Sequence, residues 1–134
     1  MLPNQYKIRV YNDAGVDTTV QVDWRPYHLD ANGINYATLV TPIASQTVAS
    51  ATQVLSTAID NSAAKNLGGH LLVTATPSAA PSGNQRLLVY LLGSNDGVAF
   101  EDQYAALGEG YGSTVFELDL TGTGTVHRLF EVLP

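Results

Sequence analysis

Residues 86–92, RLLVYLL, constrain the fold more than any other stretch of this chain. Successive side chains of an extended strand point to opposite faces, so Arg86, Leu88, Tyr90 and Leu92 look one way and Leu87, Val89 and Leu91 the other. Apart from Arg86, both sets are apolar. An antiparallel sheet normally keeps one face wet and alternates apolar with polar residues. A strand without that alternation is either the centre of a sheet covered on both sides or a strand whose second face meets another subunit. Ser94-Asn95-Asp96-Gly97 follows at once and is rich in residues that tolerate positive φ. Residues 85–104 therefore read as two strands hinged on that turn. Leu88, Tyr90 and Leu92 become the candidate contact for a second subunit or a larger protein lattice.

Strand patterns recur along the rest of the chain. Tyr6, Ile8 and Val10 alternate with Lys7 and Arg9, and Val20, Val22 and Trp24 alternate with Gln21 and Asp23, with Asn12-Asp13-Ala14-Gly15 between them. That arrangement predicts a β-hairpin. Asp30-Ala31-Asn32-Gly33 predicts a second turn, leading into a strand over 36–40 that Pro42 ends or confines to an edge. Residues 52–59 are β-branched and read as a strand, though without contrast between faces, and 62–68 offer one helical turn between a capping Ser62 and a closing Gly68. Strands are predicted over 71–76, 114–120 and 126–132, the last setting Val126, Arg128, Phe130 and Val132 against His127, Leu129 and Glu131. The Ala/Ser/Thr-rich run 44–64 reads as a long crossing connection. Many short strands punctuated by turns predict an all-β fold, an antiparallel β-sandwich with the jelly roll as one topology for it. A length of 134 residues suits a single domain over 1–134.

Charge and composition narrow the function. Charged residues make up 13% of the chain and the formal net charge is -6, so a phosphate backbone is repelled and nucleic acid is not an expected partner. So sparsely charged a surface repels its own copies weakly. No segment approaches the roughly 20 apolar residues of a membrane helix, and MLPNQYKIRV lacks the apolar core of a signal peptide. The expected location is the cytoplasm in which the chain is made. With no cysteine, disulfides and thiolate metal sites are excluded.

Residue types that carry chemistry are present without the spacing it requires. His28, His70 and His127 lack the spacing that sets metal ligands on one face. Glu101, Asp102 and Glu109 flank a glycine-rich stretch with no nucleophile or cofactor motif beside them, so no catalytic residue and no cofactor is expected. The Asp30 and Asp96 turns resemble fragments of calcium loops but lack the later oxygen ligands. Gly108-Glu109-Gly110-Tyr111-Gly112 precedes a strand pattern rather than the helix a phosphate cradle needs. Aromatics are the better candidates for recognition. Tyr104 and Tyr111, beside glycines, are the candidate ligand or partner contacts, whereas Trp24 is expected in the core in step with Val20 and Val22.

Two resemblances extend this reading. The segment VYLLGSNDGVAFEDQY resembles the strand, turn and aromatic of discoidin-type carbohydrate-binding and adhesion modules, with Phe100 where those modules commonly show Trp. The chain as a whole, acidic, free of cysteine and rich in Ala, Thr, Ser and Gly, resembles the small virion proteins of tailed bacteriophages. Within that class, VYLLGSNDG and VHRLFEVLP are similar to segments of head decoration (cement) proteins. That resemblance implies a virion protein assembled in the host cytoplasm, with the major capsid protein or other virion proteins as partners. It also implies self-association, a trimer by analogy. The alternative function is a carbohydrate-binding or adhesion module.

Overall fold

The computed structural model describes residues 2–94, 96–100 and 114–134. Along these run ten strands: β1 (Gln5–Asp13), β2 (Thr18–Asp30), β3 (Gly33–Tyr36), β4 (Val40–Val48), β5 (Gln53–Leu55), β6 (Ile59–Asp60), β7 (Gly68–Pro77), β8 (Arg86–Ser94), β9 (Thr114–Asp119) and β10 (Val126–Val132). They form two antiparallel sheets packed face to face, the sandwich that the alternation predicts. The first sheet has the order β5-β1-β8-β9, with β6 also on β1, and the second has β10-β7-β2-β3, with β4 also on β2.

The architecture is a three-stranded ribbon folded over on itself. Each of β1–β2, β7–β8 and β9–β10 passes from one sheet to the other, and the three passes lie side by side as β1-β8-β9 and β2-β7-β10. This continuous ribbon, rather than two interlocked Greek keys, accounts for the order of these six strands. The predicted hairpin between β1 and β2 is therefore a corner between sheets. Asn12 fixes it: its buried amide donates to the carbonyls of Val16 and Val48, both at 2.8 Å, and its Oδ1 accepts from the Ala14 N–H at 3.0 Å. Neighbouring corners are bonded to it. Ser82 N–H donates to Ala14 O and Ser78 N–H to Asp17 O, each at 2.9 Å, while Leu120 N–H donates to Gln85 O at 2.7 Å.

Folding the ribbon turns its apolar face inward. Tyr6, Ile8, Val10, Leu87, Val89, Leu91 and Leu118 from one sheet meet Val20, Val22, Trp24, Ile43, Leu71, Val73 and Ala75 from the other in one buried cluster. Each large aliphatic side chain so buried contributes about 1.5–3 kcal/mol. Trp24 is fully buried and its Nε1–H donates to Tyr6 Oη at 2.8 Å, tying the two sheets together by a hydrogen bond as well as by packing.

Elsewhere the prediction is refined. Pro42 lies inside β4, which is tolerated because among the described residues β4 pairs only with β2, along an irregular register between Val20 and Trp24. The run 44–64 does cross between the sheets, through a turn at 49–52, and its second half supplies β5 and β6. Residues 62–64 form a single turn closed by one bond of the helical type, Lys65 N–H to Asn61 O at 3.0 Å, that does not continue into a helix: Asp60 accepts from the Ser62 N–H at 2.8 Å, and Asn61 donates to the Asn66 carbonyl at 3.1 Å. These side-chain bonds to the backbone compete with helical ones. Beyond β8, residues 96–99 are bends and residue 100 is irregular, rather than the start of a second strand.

Candidate functional site

Leu88, Tyr90 and Leu92 lie on the face of the first sheet turned away from the sandwich interior, where a partner was expected. Their own chain covers them. They are 7%, 2% and 2% exposed and form a second buried cluster with Tyr11 and Phe100. Lys7 Nζ sits 4.3 Å above the Phe100 ring, and the fully buried Arg9 guanidinium lies 3.9 Å from the centre of the Tyr90 ring. Such stacking offsets part of the cost of burying a cation. Burial pulls the Arg9 guanidinium below its ordinary value, with Tyr90 acting in the opposite direction. Of the two readings of this strand, the sheet covered on both sides is the one realised. Buried within their own chain, the three residues offer no exposed surface in this state.

The remaining expected site residues are dispersed. Tyr104 and Tyr111, with Glu101, Asp102 and Glu109, lie outside the described residues. Trp24 is core, as its spacing with Val20 and Val22 predicts. Asp30 accepts from the Asn32 N–H at 2.7 Å, and Asp96 accepts from Val98 N–H, Ala99 N–H and Ser94 Oγ–H at 2.8–3.0 Å. Both carboxylates thus act as turn locks, and those bonds hold Asp96 below the usual carboxylate range. His28, His70 and His127 stand on three different strands.

Sequence reasoning missed the outer face of the second sheet. Register there sets side chains in rows across β2, β7 and β10: Gln21–Thr74–His127, Asp23–Leu72–Leu129 and Arg25–His70–Glu131. The rows are partly bonded. Thr74 Oγ1 and His127 Nδ1 are 3.1 Å apart, Thr41 donates to Asp23 at 2.6 Å, and His70 Nε2 lies 4.0 Å from Glu131 Oε1. Tyr36 lies over the third row, its ring centre 5.0 Å from the Arg25 guanidinium and 5.3 Å from the His70 ring.

Beyond that row the sheet narrows to an arm. Pairing of β2 with β7 stops at Tyr27–Gly68, whereas β2 and β3 continue to Asp30–Gly33. Leu29 and Ile34 face each other across this two-stranded ribbon and are 56% and 58% exposed, with Leu39 and Val40 also exposed just after it. Only topology marks them, because an apolar residue beside a turn reads equally well as core. Family models, curated proteins and solved structures yield no match to this chain.

Proposed function

We propose that this chain is a structural protein of a bacteriophage virion, a decoration protein that binds the assembled head and stabilises it. The observation that carries this reading is the β2–β3 arm. A two-stranded ribbon is marginal in water by itself, and this one holds two large aliphatic side chains in solvent at its end. Docked against a protein surface, Leu29 and Ile34 would be buried and the ribbon ordered. A sparsely charged exterior suits a place within a crowded lattice, and a free sheet edge adds β-augmentation as a mode of attachment. The mechanism is mass action, since a protein that binds only the assembled shell favours that shell. The reading is of a binding protein rather than an enzyme, located in the virion and assembled in the host cytoplasm. Self-association belongs to it; the trimer rests on the resemblance alone.

The test is co-sedimentation with shells assembled from the major capsid protein encoded in the same genome. Wild-type protein should pellet with the shells and raise their melting temperature. A Leu29→Asp/Ile34→Asp variant should keep the wild-type circular dichroism spectrum and stay in the supernatant. Wild-type protein that ignores the shells but is retained on a glycan would turn the assignment to the adhesion module, for which Tyr36 above Arg25 and His70 is the supporting feature.

A further inference from the structure

The geometry points to β10 as a self-pairing edge: two copies of this chain join antiparallel through Val126–Val132, about a twofold axis at Leu129. Among the described residues β10 pairs with β7 alone, so its other side is a free edge of the second sheet. Exposed edge strands are normally guarded by lysine, proline or a bulge. VHRLFEV has neither lysine nor proline and no break in its register with β7, and although it carries Arg128 and Glu131, its central Leu129 is 60% exposed.

The sequence of the strand complements itself in that one register. With Leu129 opposite Leu129 of the partner subunit, His127 meets Glu131 of the partner subunit, Arg128 meets Phe130 of the partner subunit, and Val126 meets Val132 of the partner subunit. Every pair is of a kind that stabilises neighbouring strands: imidazole with carboxylate, guanidinium with ring, aliphatic with aliphatic. The faces also agree. His127, Leu129 and Glu131 share the outer face, and the apolar row of Leu72 and Leu129 would continue unbroken across the axis. Sliding the strands by two residues one way sets Arg128 against its own copy; sliding them the other way sets Leu129 against Glu131. Arg128 disfavours the first slip and Glu131 the second.

The other terminal strand of the ribbon lacks this property. Pairing β9 with its own copy sets Glu117 against Glu117, Asp119 or Val115, depending on register. Equivalent surfaces meeting about a twofold give a closed dimer rather than a growing fibre. The arm on β3 lies at the opposite edge of the same sheet from β10, so the dimer presents two free arms, and it would form whether the chain decorates a shell or binds a glycan.

A strand pair this short buries less than the roughly 1,200 Å² of a standard stable interface, so association is read over a concentration series. Sedimentation should show the wild-type mass rising from one chain to two. Leu129→Asp, an exposed substitution that sets two carboxylates on the axis, should keep the mass of one chain throughout. His127→Glu alone should dissociate the dimer, and His127→Glu/Glu131→Lys should restore it in the same register. Cysteine placement decides the register independently, because the chain has no cysteine and facing residues of antiparallel strands lie within disulfide reach. Leu129→Cys should cross-link to itself at least ten times faster than Val98→Cys, an exposed site 86% open to solvent that lies off the edge. His127→Cys and Glu131→Cys should cross-link rapidly with each other when mixed and slowly when alone. A wild-type mass of one chain at every concentration, a Leu129→Cys rate equal to that of Val98→Cys, or rapid self-linking of Arg128→Cys would each overturn the inference.

Discussion

Replacing Tyr6 by Phe removes one oxygen atom from the interior and tests what joins the two sheets. Both Tyr6 and Trp24 are completely buried, their rings meet edge to face with centres 6.1 Å apart, and Trp24 Nε1–H donates to Tyr6 Oη at 2.8 Å. In the Phe variant the indole N–H loses that acceptor and has no access to water. An orphaned buried donor costs about 1–3 kcal/mol, whereas the ring contact itself survives. Trp24→Phe removes the donor together with part of the indole volume, and its cavity adds about 1–3 kcal/mol more. In that background Tyr6→Phe orphans no donor, so its cost should fall by about 1–2 kcal/mol, and the double variant should be less damaged than the two single changes summed. The assay is urea unfolding followed by circular dichroism, since Trp24 is the sole tryptophan and fluorescence disappears with it. With a slope near 2 kcal/mol/M, Tyr6→Phe should lower the midpoint by about 0.5–1.5 M. Additive single changes, within about 0.5 kcal/mol, would show that the hydrogen bond couples nothing and that packing alone joins the sheets here.

Alkaline titration reads the same residue differently. Burial raises the Tyr6 hydroxyl pKa above its ordinary value of 10.0, and the bond from Trp24 lowers it by less. The folded chain thus holds this proton more tightly than the unfolded chain does, so the associated stability is complete below about pH 10 and is lost as the pH rises further. Wild-type protein should lose stability more steeply above pH 10 than Tyr6→Phe; parallel curves would refute the assignment. Gly69→Ala should cost about 1–3 kcal/mol in thermal unfolding, because a Cβ there would stand 2.7 Å from Trp24 Cζ2 and 2.8 Å from the Arg25 carbonyl, and the latter is backbone that cannot rotate away. Leu87→Ala and Leu88→Ala should each cost about 2–5 kcal/mol although they face opposite sides of β8, since both are buried within one chain. A loss below about 1 kcal/mol for Leu88→Ala in urea would return that face to the role of a subunit contact.

Although it read most of β4 as a connection, strand alternation located β1, β2, β7, β8, β9 and β10, because period-two burial is a local property of the pleat. It could not tell a hairpin from a corner. In a hairpin, Val10 and Val20 would lie in one sheet and point the same way; in the folded ribbon they lie in two sheets and point at each other. Either arrangement gives the same sequence pattern and accepts the same turn residues in Asn12-Asp13-Ala14-Gly15. What decides is Asn12, whose side chain bonds a carbonyl 36 residues away, at Val48. The second face of β8 was ambiguous for a related reason. Apolar character at Leu88, Tyr90 and Leu92 demands a cover, but Tyr11 and Phe100 supply it from parts of the chain that no local pattern links to them.

The same limit explains why the exposed sites were hard to read. VHRLFEV is as self-complementary in the sequence as in the fold, yet complementarity matters only for a strand with a free edge. Edges are assigned by the ribbon: β9 and β10 are its last pass, so nothing in the described chain lies beyond them. At that position the two strands differ in chemistry. β9 carries Glu117 and Asp119, both exposed, which repel a second copy, while in β10 the imidazole of His127 and the carboxylate of Glu131 stand symmetrically about Leu129. If the edge were merely protected, an acidic pattern like that of β9 would have served on both strands. The contrast within one ribbon makes β10 the edge on which association should be sought first.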